Sequence, residues 1–264
     1  MSDSTYETIG VDRDEQAATV TLDRPDHLNS LTRRMTEELR DAVADLAGDD
    51  AVRCIVFRGA GGAFGAGADL GRLDGDAGDE PALRQLASSL HETVLLLHRA
   101  EKPVAVGVDG VAAGAGFSLA LSGDVVLASD EARFEYAYPR VGLTGDGGST
   151  FLLPRLVGLR RAKEIALLDE PVDPERAVEL GIATEVVAAD EFDDRLDDLA
   201  SRLAAGPTKA LGRVKRLMTE GFDRRLGEQL AAETNAIAES TRTEDYARGH
   251  DAFHGDDDPE FVGR

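Results

Sequence analysis

The stretch CIVFRGAGGAFGAGADL, Cys54 to Leu70, sets four apolar residues directly before a run built almost wholly of glycine and alanine. A short apolar run bounded by turn residues reads as a strand covered on both faces. The arrangement recurs in PVAVGVDGVAAGAG, Pro103 to Gly116, where a second apolar run leads to a second small-residue turn, Ala112 to Gly116. Working outward, alternation in Ala17-Ala18-Thr19-Val20-Thr21-Leu22 predicts a strand ending at Asp23-Arg24-Pro25-Asp26. Leu31, Met35, Leu39, Val43 and Leu46 then recur at helical spacing, with Ser30 or Thr32 as cap and Gly48 as stop. Leu86, Leu90, Val94 and Leu97 mark a second helix, and Val125-Val126-Leu127 another buried run. The class is therefore α/β, with repeated β and α units around parallel sheets.

From about Asp190 the pattern turns wholly helical, through Phe192, Leu196, Leu199 and Leu203 to Leu226, Leu230 and Ile237. Residues 1–189 are expected to form the core, and 190–264 a helical region for packing or oligomerisation.

The chain has 264 residues, 42% hydrophobic and 30% charged, and no apolar run reaches the roughly 20 residues of a membrane span. MSDSTYETIG has neither the basic start nor the apolar stretch of a secretory leader, so the cytoplasm is expected. Cys54, the single cysteine, lies in an apolar run and reads as a small buried hydrophobe; no cysteine-rich metal site is available. A formal charge of −22, spread along the chain, argues against nucleic acid or anionic lipid as partner. Lysine occurs only at 102, 163, 209 and 215, while aspartates cluster at Asp49-Asp50, Asp193-Asp194, Asp197-Asp198 and Asp256-Asp257-Asp258. That composition suits a halophilic surface, with an ordinary acidic protein as the alternative.

Among chemistries, a dinucleotide fingerprint fails on spacing, since after Gly59 and Gly61 the third glycine would fall on Phe64. Gly116-Phe117-Ser118-Leu119-Ala120 resembles a nucleophile elbow but ends in alanine, and His27, His91, His98, His250 and His254 offer no triad setting. His91 and His98 read as surface or packing residues of a helix. Two turns remain, Gly65 to Leu70 and Ala113 to Gly116, whose small residues expose peptide N–H donors to a ligand. Close packing would account for either alone; both together favour a site.

These turns, in this order, resemble the crotonase family, the enoyl-CoA hydratase/isomerase superfamily. Nearly the whole chain carries the resemblance: Leu22-Asp23-Arg24-Pro25 with Leu28-Asn29-Ser30-Leu31, Gly62-Ala63-Phe64, Ala66-Gly67-Ala68-Asp69-Leu70, Lys102-Pro103-Val104 and Asp109-Gly110. It continues through Gly114-Ala115-Gly116, Gly123-Asp124, Phe134, Gly142 to Gly148, Leu153-Pro154-Arg155 and Ala177 to Gly181. The resemblance implies a spiral of ββα units, a helical C-terminal region building a homotrimer or a dimer of trimers, and an oxyanion hole from the N–H groups of Ala68 and Ala115. Its substrate is an acyl-CoA, with coenzyme A entering as part of the substrate, no permanently bound cofactor and no metal. The coenzyme is expected along Arg24, Ala66, Asp69, Leu70 and Phe253.

Hydratases of the family carry two glutamates, and the matching positions here are Ser118 and Tyr138. Asp146 falls where several isomerases of the family, the phenylacetate-pathway epoxide isomerases among them, carry a catalytic aspartate. One aspartate beside an enolate suffices to move a double bond, because it removes a proton at one carbon and returns it at another. Ketosteroid isomerase divides the labour in the same way, between one Asp base and an oxyanion hole. The expected activity is thus an acyl-CoA isomerase of fatty-acid or related acyl metabolism. Alternatives are hydration or another lyase-type or hydrolytic crotonase reaction, and a non-catalytic or RNA-binding member. Asp146 also suits a cap for a helix starting near Gly147, and Glu135, in a strand-like stretch read as surface, is a reserve base. One departure is His254-Gly255-Asp256-Asp257-Asp258, where relatives often carry a basic stretch.

Overall fold

The computed structural model describes residues 6–14, 16–255 and 258–264. The first five residues, read for a leader, and Asp256 and Asp257, read as part of the acidic surface, lie outside the described residues. The alternating run forms β2 (Ala17–Leu22), antiparallel to β1 (Ile9–Asp14) and parallel to β3 (Cys54–Gly59). Beyond them come β5 (Val104–Val108), β7 (Val125–Ser129) and β9 (Glu185–Val187), all parallel, in the order β1-β2-β3-β5-β7-β9.

Successive side chains on a strand face opposite ways. Ile55 and Phe57 of β3 therefore join one core with Val20, Leu22, Leu39 and Leu90, while Cys54 and Val56 join another with Phe192 and Leu196. With both faces covered, an uninterrupted apolar strand costs nothing in exposure. Burial pushes the Cys54 thiol up to about 12, as a structural rather than a reactive cysteine requires.

A second sheet holds three short parallel strands, β4 (Ala63–Gly65), β6 (Val111–Ala113) and β8 (Arg133–Glu135). The strands β3, β5 and β7 are each followed by one of these and then a helix: α2 (Glu80–Arg99), α3 (Ala115–Ala120) and α4 (Ser149–Val157). These are the repeated ββα units of the expected spiral. In the sequence β4 and β6 look like parts of small-residue turns, because three residues each carry no legible period, whereas β8 falls in the stretch read as strand-like. At Gly116 a Cβ would stand 2.1 Å from the Gly65 carbonyl oxygen, so the turn that follows β6 closes on β4 only with glycine there.

Helix α1 (Arg33–Gly48) is capped by Thr32, whose side chain accepts the Met35 N–H at 3.1 Å, which settles the choice between Ser30 and Thr32. After α5 (Leu159–Leu168) and α6 (Pro174–Leu180) come α7 (Phe192–Ala205), α8 (Thr208–Gly221), α9 (Leu226–Ser240) and α10 (Glu244–Gly255). Helix α7 covers the second face of the large sheet, whereas α8 and α9 leave Met218, Phe222, Leu226 and Ile237 exposed. Among the described residues no helix is long and apolar enough to cross a membrane.

Helix α8 is tied to the sheet by Lys215, whose Nζ lies 2.8 Å from Asp124 Oδ2 and donates to the Leu97 carbonyl at 2.7 Å. Asp124 in turn accepts the Val104 N–H at 2.8 Å. Lys215→Met strands that carboxylate, and because the Asp124 side chain keeps 31% exposure the loss falls short of a fully buried pair, at about 2 kcal/mol. A denaturant midpoint unchanged in Lys215→Met would contradict this account.

Candidate active site

The segment after β2 is shaped by Asn29, fully buried in a left-handed conformation (φ 53°). Its amide donates to the carbonyls of Ala60 and Ala63 at 2.8 and 2.6 Å, and its oxygen accepts the Arg24 N–H at 2.8 Å. The loop is thereby pinned against the β3–β4 turn. It lays Leu28 to Leu31 alongside the turn after β4: Ala66 N–H donates to Leu28 O, Leu31 N–H to Gly67 O, and Asp69 N–H to Leu31 O. Leu31 and Ala68 form an isolated parallel bridge, in which the bonds to Leu31 use the groups flanking Ala68. The Ala68 N–H itself has no acceptor among the described residues.

Arg24 reinforces this seam. Its guanidinium donates to Ser30 and, at 2.9 Å, to Asp69 Oδ2. Burial would raise the Asp69 carboxyl, but the bonds from Arg24 and the Gly71 N–H outweigh it and hold Asp69 below the usual carboxylate range. The Arg24 donors expected to meet a coenzyme phosphate are thus engaged with the chain's own oxygens.

The second turn packs on the first. A Cβ on Gly67 (φ +94°) would stand 3.2 Å from the Ala113 carbonyl oxygen and 3.6 Å from the Ala115 nitrogen, so the two backbones run in contact. Ala115 is the first residue of α3, where helical geometry provides no acceptor for the N–H. Among the described residues nothing else accepts it. Two open donors therefore stand on adjoining turns.

One helical turn along α3, Ser118 meets the loop carrying Asp146: a Cβ on Gly147 would lie 2.7 Å from Ser118 Cβ. Tyr138 donates to Asp146 Oδ1 at 2.6 Å, and its hydroxyl lies 2.8 Å from Ser118 Oγ. Asp146 Oδ2 has no hydrogen-bond partner among the described residues. Burial, then the charge and hydrogen bond of Asp146, push the Tyr138 phenol far above its ordinary range, so it stays a donor.

Two expectations need correction. The Asp146 side chain caps no helix: α4 begins at Ser149 with Gly148 as its N-cap and no side-chain cap, and only the Asp146 backbone oxygen accepts from Ser149, at 3.0 Å. Glu135 is buried rather than on the surface, and its carboxylate is held by Arg133 and Arg140. Sequence reasoning passed over His91, whose Nε2 accepts the Gly147 N–H at 3.1 Å and steadies the Asp146 loop from α2. Nothing in the spacing of His91 signals that contact, since Gly147 is 56 positions away.

Of the remaining predicted site residues, Ala66 and Leu70 flank Ala68 on the first turn, while Phe253 lies on α10, 84% exposed, with the His254 ring as neighbour. Among the described residues no cluster of three or more His, Cys, Asp or Glu is placed to hold a metal ion.

Comparison with known proteins identifies the family. Residues 12–264 match the family described as enoyl-CoA hydratase/isomerase. The chain is 37% identical to the 1,2-epoxyphenylacetyl-CoA isomerase of Escherichia coli K12, over 93% of this chain and 95% of that one. It is also 37% identical to a "probable enoyl-CoA hydratase" of Rhodobacter capsulatus, over 98% and 99%. A crystal structure of an enoyl-CoA hydratase from Polaromonas sp. JS666 superposes with a TM-score of 0.91 at 30% identity, covering 96% of this chain and 99% of the other. A match spanning core and C-terminal helices alike makes this chain an enzyme of the enoyl-CoA hydratase/isomerase family, the crotonase superfamily.

Proposed function

We propose that the enzyme isomerises an acyl-CoA by proton transfer through a thioester enolate. In this reading the N–H groups of Ala68 and Ala115 hold the carbonyl oxygen. Asp146 Oδ2 takes a proton from the carbon beside the thioester, charge moves onto the oxygen between the two donors, and the same carboxylate returns the proton at a more distant carbon. The balance closes without water or an external acid. The observation that carries the reading is the pairing, among the described residues, of two acceptor-free backbone donors with one open carboxylate oxygen on the loop that meets Ser118 one helical turn along α3. Hydration asks for a second carboxylate to handle water, and the nearby Glu135 is neutralised by two arginines.

The coenzyme side of the site is assigned to Ala66, Asp69 and Leu70, with Arg24 and Phe253 as further contacts. Identity to an epoxyphenylacetyl-CoA isomerase supports including ring-epoxide acyl groups among the substrates tested. Incubation with 3-enoyl-, 2-enoyl- and ring-epoxide acyl-CoAs in high salt, followed by mass and ultraviolet absorbance, is expected to yield products of unchanged mass. A product heavier by one water would replace isomerisation with hydration.

The region 190–264 is proposed as an oligomerisation region forming a homotrimer or a dimer of trimers in the cytoplasm, because Met218, Phe222, Leu226 and Ile237 leave large apolar surface uncovered. Salt should favour that assembly. With a formal charge of −22, thermal midpoint and oligomer mass are expected to rise between dilute buffer and molar KCl, as the screening length shortens from about 10 Å to about 3 Å. A flat response in calorimetry and light scattering would mark the surface as an ordinary acidic one.

A further inference from the structure

The carboxylate assigned as base sits in a loop with little else to hold it. Asp146 is flanked by Gly145, Gly147 and Gly148, and the last two have positive φ, so neither neighbour's side chain restricts its rotamer. What restricts it comes from another part of the chain. Tyr138 follows the left-handed Ala137 (φ 61°), whose N–H donates to Asp169 Oδ1 at 2.7 Å, and Arg140 of the same turn is bonded to Asp169 and Glu135. That anchored turn packs the Tyr138 ring edge-on against Tyr136, at 5.1 Å between centroids, and buries the phenol.

A phenol has one proton. With that proton on Asp146 Oδ1, the phenol oxygen is left to accept the single Ser118 hydroxyl proton, and Ser118, itself fully buried, is tied to the Gly114 carbonyl oxygen by its backbone N–H at 3.0 Å. Gly114 is the residue whose peptide bond carries the Ala115 N–H. A continuous chain of hydrogen bonds thus runs from the donor turn through Ser118 and Tyr138 to the carboxylate.

We propose that Tyr138 is a positioning residue for the reaction: by occupying Asp146 Oδ1 it fixes the carboxylate so that Oδ2 is the oxygen presented to the substrate proton. Ser118 completes the device by holding the phenol in register with the oxyanion turn. This rests on Asp146 being the base, and the two assignments fail differently.

Tyr138→Phe keeps the ring and its packing and removes only the hydroxyl. Its kcat is expected to fall roughly 10–100-fold with KM within about twofold, because misaimed proton transfer costs rate rather than binding. The thermal midpoint should stay close to the parent. The decisive readout is a double-mutant cycle: in an Asp146→Asn background, followed over long single-turnover incubations, adding Tyr138→Phe should change the residual rate by less than about twofold. Ser118→Ala provides a second variant, expected to lower kcat several-fold, with the same absence of effect in the Asn background. Normal kcat in folded Tyr138→Phe, an equal fall in both backgrounds, or a fall that only tracks lost folded protein would each overturn the proposal. If Asp146→Asn is inactive and Tyr138→Phe is normal, only the positioning role is lost; if Asp146→Asn turns over normally, the base assignment fails first.

Discussion

Asp146→Asn is expected to lower turnover roughly 10²–10⁴-fold while acyl-CoA binding is largely kept, because the amide matches the carboxylate in size but cannot accept the proton. The structure makes this substitution a clean one. The bonds that form the start of α4 use the Asp146 backbone oxygen, which accepts from both the Ser149 N–H and Ser149 Oγ, and the variant retains it. The amide oxygen can also still accept the Tyr138 hydroxyl that now lies 2.6 Å from Oδ1. Little stability should therefore be lost, and a calorimetric melt beside the kinetics separates chemistry from folding. Asp146→Ala belongs in the same comparison: it abolishes the acceptor for Tyr138, so it should melt lower and turn over as poorly. If only the alanine variant lost activity, in step with its melting temperature, Asp146 would be a structural residue. Near-normal turnover in a folded Asp146→Asn enzyme would remove the carboxylate from the mechanism.

Ala115→Pro is the matching test of the oxyanion hole, since a backbone donor can be deleted only by removing its hydrogen. Ala115 is the first residue of α3, the helical position where proline fits best. Among the described residues its N–H supports no hydrogen bond, so the deletion costs no structural partner there. The preceding residue, Gly114, has φ 52° and ψ −121°, away from the right-handed helical region that proline disfavours in its predecessor. Loss of one such donor corresponds to roughly 10²–10³-fold in kcat, about 3 kcal/mol of transition-state stabilisation. The proline ring also adds bulk where the hydrogen was. A non-reacting saturated acyl-CoA reports on that: a dissociation constant close to the parent with collapsed kcat assigns the loss to the donor, whereas weakened binding of equal size assigns it to the ring. Parent-like turnover in a folded Ala115→Pro enzyme would exclude this N–H from the reaction.

Much of this architecture is legible along the chain because its signals are local. The uninterrupted apolar runs at Cys54 to Phe57 and Val104 to Val108 announce strands covered on both faces, and helix α1 follows from the spacing of Met35, Leu39, Val43 and Leu46. The motifs that run in order along nearly the whole chain are enough to assign the family. The three-residue strands β4 and β6 escape such reading, because hydrogen bonding within their sheet, and no periodicity of their own, makes them strands.

The site divides along the same line. Sequence by itself determined which residues are available for chemistry: the turns around Ala68 and Ala115, Asp146 among its glycines, and the absence of carboxylates at Ser118 and Tyr138. Only the tertiary structure decided what those residues do to one another. Tyr138 and Ser118 read as missing glutamates and prove to be bonded to each other, with Tyr138 also bonded to Asp146; Glu135 reads as a surface base and lies buried between two arginines. Arg24, read for a coenzyme phosphate, also bonds Asp69, and His91, read as a surface or packing residue, also accepts the Gly147 N–H. The reason is the range of the interactions. Periodicity and turn chemistry act over a few residues and leave a trace in the local pattern, whereas a hydrogen bond between residues 56 positions apart depends on how the ββα units stack, and that is settled by burial over the whole core.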